Sequence, residues 1–388
     1  MKLAVIVGAR PQFIKAAPLF RALKKHNGTH PAGRIKADLI HTGQHYDHQM
    51  SQVFFKEGGL PVPVADLGIS GGSNSVMIGR MLEALALHFK TATPDAILVF
   101  GDTNSTIATA LVAADFSIPL IHVEAGLRSG DLTMPEEQNR IVTDRLSSIL
   151  ACPSMSSIEN LGQEDIKGVT LTRDALPEQG MSIHFGNTPL ICDTGDIMLD
   201  ALRYDVENLP AEKPQVVEEL ADTPFALCTM HRAANVDNRE TLADLLAGLG
   251  LIGAEIPILL PVHPRLKERI KQFSLELPKG VVPTSPLGRN NFLAALKECT
   301  GVLTDSGGLQ KEAAFLGKPC VVLRPTSEWM ELVDSGACVL AGGEDASAES
   351  VAAAWGGARM RTPGPTRVYG DGKTAEHIVS ILNRLTFS

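Results

Sequence analysis

An α/β fold with doubly wound parallel sheets is predicted by three observations. Short β-branched runs alternate with longer helical patterns, which is the mark of βαβ units. Several runs stop on Gly, Asp, Glu or His, the place where an open parallel sheet gathers its ligands. The whole pattern occurs twice, on either side of a polar, Pro- and Gly-containing stretch around residues 163–190. A chain of 388 residues is long for one core, and domains of ordinary size favour two.

Taken in order, the first half offers strands at 3–7, 37–40, 96–100, 120–123 and 149–151. The second offers 225–229, 256–260, 281–282, 301–304 and 320–323. The expected division is a Rossmann-like domain over 1–192, a second over 193–372, and a terminal segment, 373–388, whose helix packs on either half. Residues 356–372 read as an irregular connection because of their Gly and Pro content. No repeat of 20–50 residues and no low-complexity tract is evident, so solenoids and propellers are not expected.

Composition narrows the function. A net charge of −9 argues against a large nucleic-acid surface, although a local arginine cluster can still hold phosphate groups. Six cysteines without a CxxC spacing point to reduced, buried thiols rather than a zinc site or a disulfide framework. The first apolar run is too short for a secretion signal, and the longest later one is broken by Glu255 and Pro257. A soluble, cytoplasmic protein with no membrane partner is expected.

Two successive apolar runs end on carboxylates, Asp102 and Glu124, and Glu136 and Glu137 follow. A charge at a buried strand end is costly unless it is paired or used, which singles out Glu124. Asp102-Thr103-Asn104-Ser105 has a competing reading as helix capping. Glu136 and Glu137 open a helix, where negative charge is favourable, and one of them is expected to be only that. Arg10 and Lys15 lie at the start of the helix after the first strand, against its dipole, so a bound anion there would relieve the repulsion. That loop lacks GxGxxG, so no dinucleotide cofactor is expected. His231 follows the 225–229 strand directly and would face a cleft. The segment TDSGGLQKE supplies the strongest phosphate signal: Ser306, Gly307 and Gly308 sit between a strand and a helix, with bare backbone N–H groups at the positive end of the dipole. Glu312 lies one turn on, placed for the vicinal hydroxyls of a ribose.

The segments GARPQFIKAAPL, HTGQHYDHQMS, GDTNST, HVEAGLRSGDLTMPEEQNR, TMHRAANVD, PVHPR and DSGGLQKEAAFLGKPCVVLR, in this order, make the chain resemble the non-hydrolysing UDP-N-acetylglucosamine 2-epimerases over nearly all its length. The resemblance implies a glycosyltransferase-B type fold, two Rossmann-like domains with a UDP-sugar in the interdomain cleft, and a homodimer. It puts Asp102, Glu124, Glu136 and His231 on catalytic positions, Arg10 and Lys15 on basic contacts, and Ser306, Gly307, Gly308 and Glu312 on diphosphate and ribose contacts. His263 and Arg324 match further contact positions. Neither metal nor cofactor is implied.

The segment TSEWMELVDSGACVLAG, with Ser70-Gly71-Gly72 and Tyr369-Gly370-Asp371-Gly372, looks more like the branch acting on UDP-2,3-diacetamido-2,3-dideoxyglucuronate than the branch that has TERPE there. Residues around 168–188 look like an insertion. Asp47 replaces a glutamine typical of members that bind a second, activating substrate molecule, so the resemblance does not by itself imply such activation.

The chemistry fits the residues. The proton on carbon 2 of a 2-acetamido sugar is too weakly acidic for a carboxylate until the bond from carbon 1 to UDP breaks. Anti elimination then gives a glycal plus UDP, and returning UDP with a proton on the other face inverts carbon 2. The scheme needs a stabilised leaving diphosphate and acid/base groups on two faces. Clustered carboxylates would push their pKa values apart and divide those roles. A glycosyltransferase of the same fold is the main alternative, and it needs fewer carboxylates at the sugar. A non-catalytic UDP-sugar sensor would keep the glycine turn yet tolerate loss of Asp102 or Glu124.

Overall fold

Leu3, Val5 and Val7 pack into one apolar layer while Ala4 and Ile6 pack into another, so the first strand is buried on both faces. That is the environment of a parallel sheet covered by helices on each side. The structure, a computed structural model, describes residues 1–44, 59–220, 223–342, 347–361 and 367–387. These form two units, Met1–Ala201 with Val368–Ser388, and Leu202–Arg367.

In the first unit the strands are β1 (Lys2–Val7), β2 (Lys36–His41), β3 (Ala65–Asp66), β4 (Ala96–Phe100), β5 (Leu120–Val123), β6 (Ile149–Cys152), β7 (Val169–Leu171), β8 (Met181–Ile183) and β9 (Leu190–Asp193). Eight of them make a parallel sheet in the order β3-β2-β1-β4-β5-β6-β9-β7. Helices α1 (Arg10–Thr29), α2 (Asn74–Thr91), α3 (Asn104–Asp115), α4 (Pro135–Leu146) and α5 (Met155–Gln163) connect them. Pro11 sits in the first turn of α1, where its missing N–H costs nothing. The stretch around 168–188, read as an insertion, carries β7 on the sheet edge and β8, which pairs with the terminal strand Leu385–Phe387.

The C-terminal helix Thr374–Arg384 belongs to this unit. Ala375, Ile378, Val379 and Leu382 join the layer that holds Leu3, Val5 and Phe13 of β1 and α1. Asp200, on α6 (Ile197–Glu207), accepts the free N–H groups of Thr374 and Ala375 at 3.1 and 2.8 Å, which fastens the helix N-terminus. Burial nevertheless pushes the Asp200 carboxyl up from 3.8 to about 6, against those donors. A folded value above the unfolded one means that the folded state holds the proton more tightly. This group therefore adds most to stability below its unfolded value of 3.8, loses that contribution between there and about 6, and is flat above. Asp200→Asn removes the dependence. The stability of the variant relative to wild type should rise by about 3 kcal/mol from acid to neutral pH, and urea unfolding at several pH values checks it.

The second unit carries β10 (Ala226–Thr229), β11 (Ile258–Pro261), β12 (Val281–Thr284), β13 (Gly301–Thr304), β14 (Cys320–Val322) and β15 (Cys338–Leu340). All are parallel, in the order β12-β11-β10-β13-β14-β15, the doubly wound order with its reversal between β10 and β13. Its helices include α7 (Arg239–Gly253), α8 (Pro264–Gln272), α9 (Arg289–Glu298), α10 (Gly307–Phe315) and α11 (Ala348–Met360). Leu242, Leu245 and Leu249 of α7 pack with Ala226, Ile258 and Trp355. The expected irregular connection from 356 is corrected here: Gly356 and Gly357 lie inside α11. That helix is held by a Ser347/Ser350 capping box and by Val351, Trp355 and Ala358 on its buried face. Packing of an apolar face outweighs the cost of two glycines. No helix among the described residues is long and apolar enough to cross a membrane.

Candidate functional site

In the first unit the sheet order reverses between β1 and β4, and the carboxyl ends of β1, β4 and β5 collect the predicted polar residues. The turn after β4 passes through Gly101 in the left-handed region and delivers Asp102. Glu124 ends β5 with φ of 75°, a conformation that costs a non-glycine residue about 1–2 kcal/mol. Its carboxylate is bound to the ammonium of Lys15, from α1. Asp102 is bound to Arg140, from α4, which also holds Glu137 at 2.8 Å.

The carboxylates therefore alternate with cations instead of crowding one another. Burial alone would raise Glu137; the N–H groups of Ser129 and Gly130 and the Arg140 guanidinium outweigh it and hold the carboxyl below its usual range. Asp144 behaves alike: it is fully buried, yet His122 and Arg128 keep it lowered and ionised. His122 bridges Asp144 at 2.6 Å and the Gly101 carbonyl at 2.8 Å. Capping does not account for the residues after Asp102. Thr103 makes no side-chain cap, Asn104 donates to Asn74, Ser105 to Gln44 and Thr106 to the Phe100 carbonyl.

In the second unit the reversal between β10 and β13 places His231 and Ser306 together. Asp305, buried at the end of β13, accepts the N–H groups of His231 and Arg232 at 2.9 Å each and the Asn235 amide at 3.1 Å. Its carboxyl, which burial would raise, is held low by these donors and by the His231 ring, whose Nδ1 lies 3.1 Å away. A pocket of about 370 Å³ opens here. His231, His263, Ser306, Gly308 and Glu312 line it, with Phe292, Pro286, Leu287 and Arg289. The N-terminus of α10 thus meets a cavity with an aromatic wall, a shape suited to an anion linked to a flat ring. Glu312 is turned by Arg289, 2.6 Å away.

The segment after β14 lies beside this turn. Glu328 bridges Arg324 at 2.6 Å and Arg232 at 3.2 Å. Trp329 donates from its indole to the Gly307 carbonyl at 3.1 Å and covers the Lys311 ammonium.

Asp102, Glu124 and Lys15 come together on the first unit. Arg10 is exposed at the first turn of α1, and Glu136 is exposed at the start of α4, outside the network that Glu137 enters. Arg324 stands with Glu328 and is not among the pocket's lining residues. Asp47 lies outside the described residues. Sequence reasoning missed Arg140, His122, Asp144 and Arg128 as parts of the site, and Phe292 and Arg289 in the pocket. Only Arg140 left a signal, its spacing from two glutamates; the others belong to partners distant in sequence.

The family model described as UDP-N-acetylglucosamine 2-epimerase matches residues 28–383. A relative from Pseudomonas aeruginosa, a UDP-2,3-diacetamido-2,3-dideoxy-D-glucuronate 2-epimerase, is 38% identical over 99% of this chain and 100% of its own. A UDP-N-acetylglucosamine 2-epimerase from Methanocaldococcus jannaschii is 37% identical over 98% and 99%. A crystal structure of the M. jannaschii UDP-GlcNAc 2-epimerase with UDP-GlcNAc and UDP matches with a TM-score of 0.74 at 36% identity, covering 98% of this chain and 99% of that one.

Proposed function

Because the chain belongs to the UDP-N-acetylglucosamine 2-epimerase family, we propose that its two polar constellations serve the inversion of carbon 2 in a UDP-2-acetamido sugar. The protein is an isomerase of this family, and the glycosyltransferase alternative is set aside because relatives matching nearly the whole chain are epimerases. Within the family, the 2,3-diacetamido-glucuronate form of the substrate is supported by the P. aeruginosa relative, matched over its full length, and by the Ser327-Glu328-Trp329 segment.

The second unit holds UDP. The N-terminus of α10, with Ser306, Gly307 and Gly308, takes the diphosphate and stabilises it as a leaving group; His231 and His263 assist, Glu312 takes the ribose hydroxyls and Phe292 the base. The first unit supplies Asp102, Glu124 and Glu136 as acid/base groups, with Lys15 and Arg10 for anionic charge. The bond from carbon 1 to the diphosphate oxygen breaks, and the oxygen keeps the electron pair. A carboxylate takes the carbon-2 proton, a glycal remains, and the reverse steps on the other face restore the glycosidic bond. No electrons are exchanged with a cofactor. The observation that carries this reading is Glu124, a strained strand-end carboxylate held by Lys15: strain of this kind persists where it is used.

Incubation with each candidate UDP-sugar in deuterated water should give the carbon-2 epimer with deuterium at that carbon, read by NMR. Return of both sugars unlabelled would overturn the reading. A homodimer in the cytoplasm is part of the proposal on the strength of the family resemblance; light scattering giving the mass of one chain would remove the dimer.

A further inference from the structure

His122 lies on β5, two residues before Glu124, and its ring is fully buried. Its two nitrogens face Asp144 Oδ1 and the Gly101 carbonyl oxygen at 2.6 and 2.8 Å. A carbonyl has no proton to give. Asp144 is kept as the carboxylate: its other oxygen takes the Gly126 N–H at 3.1 Å and lies 2.8 Å from the cationic Arg128 Nη1, and both partners favour the charged form. A neutral imidazole donates from one nitrogen only. It would set a lone pair against an oxygen inside 3 Å, where no solvent relieves it, and a buried polar group left so costs more than a hydrogen bond returns.

We propose that His122 is held as an imidazolium, protonated on both nitrogens, and acts as the positioning residue that ties the Asp102 turn to the Glu124 strand end. The role rests on the reading of Asp102 and Glu124 as acid/base groups; the charge does not. The ring completes a chain of alternating sign, Glu164, Arg128, Asp144 and His122, running in from the surface. Cys152, whose thiol burial and Asp144 push well up, faces the same carboxylate and stays neutral. One N–H pins the Gly101 carbonyl, so the left-handed turn cannot drift. The next residue is Asp102, whose own carbonyl is tied by the Asn139 amide at 2.8 Å. Loss of one ring proton would release the Gly101 carbonyl, and loss of the other would release the Asp144 carboxylate that holds the Gly126 N–H just beyond Glu124.

The test uses the whole protein with its eleven histidines labelled with ¹⁵N. At about pH 8, well above the ordinary imidazole value, a long-range ¹⁵N–¹H spectrum should show one ring with both nitrogens protonated, and that signal should vanish in His122→Gln. A wild-type spectrum with every ring neutral would overturn the proposal without any variant. Asp144→Asn removes the counter-ion. It should convert that ring to one proton and lower turnover about 10- to 100-fold, as small misplacements of catalytic groups do, with UDP affinity within about 2-fold of wild type. Full turnover with a neutral ring would end the positioning role. Absence of carbon-2 exchange in the wild type would end it too, through the epimerase reading, while the charge would stand on the spectrum alone.

Discussion

Glu124→Gln is expected to lower turnover by about 10³-fold, within the range that a positioned acid/base group contributes, while UDP binds as before. The residues that line the pocket proposed for UDP all lie on the second unit, and Glu124 lies on the first. Its carboxylate ends a strand in a left-handed conformation and rests on Lys15. Glutamine keeps the shape and removes the charge, so affinity for UDP and turnover should separate. Glu124→Gly sharpens the test, because it abolishes activity yet releases about 1 kcal/mol of backbone strain. Isothermal titration with UDP, a turnover assay and thermal unfolding read the three quantities. A glutamine variant with wild-type turnover removes Glu124 from the chemistry.

Gly308→Asp should abolish UDP binding while leaving the ligand-free fold at least as stable. Gly308 sits in the first turn of α10, and a Cβ built there meets nothing within 4 Å. Replacing glycine in a helix and placing an acid in its first turn each favour the helix, together by about 1 kcal/mol. The same carboxylate would lie about 5 Å from a bound diphosphate. At an effective dielectric of about 20 that is about 3 kcal/mol of repulsion, two decades of affinity. Opposite signs for stability and affinity are the signature of an anion site. Equal loss of both would mean that the glycine serves packing alone.

The central strands were legible because a parallel strand buried on both faces is apolar at most of its positions. The 96–100, 120–123 and 301–304 runs coincide with β4, β5 and β13. β7, β8 and β15 left no such run, being three residues long and, in β7 and β8, partly exposed. The glycine turn before Glu312 was legible for a similar reason: its place between a strand and a helix is set by adjacent residues. Asp144 looked like an ordinary helix residue; 22 positions separate it from His122. Phe292 was one phenylalanine among thirteen.

By itself, then, the order of amino acids determined the central strands, where Asp102 and Glu124 leave theirs, and a glycine turn that opens a helix, since these follow from interactions along a short piece of chain. Tertiary structure decided which cation holds which carboxylate, that Glu137 rather than Glu136 enters the ion-pair network, and that the last helix caps on Asp200 and packs with β1. Except for the local Glu137–Arg140 pair, those outcomes are pairings between segments far apart in the chain, and only the fold brings them within a few ångströms.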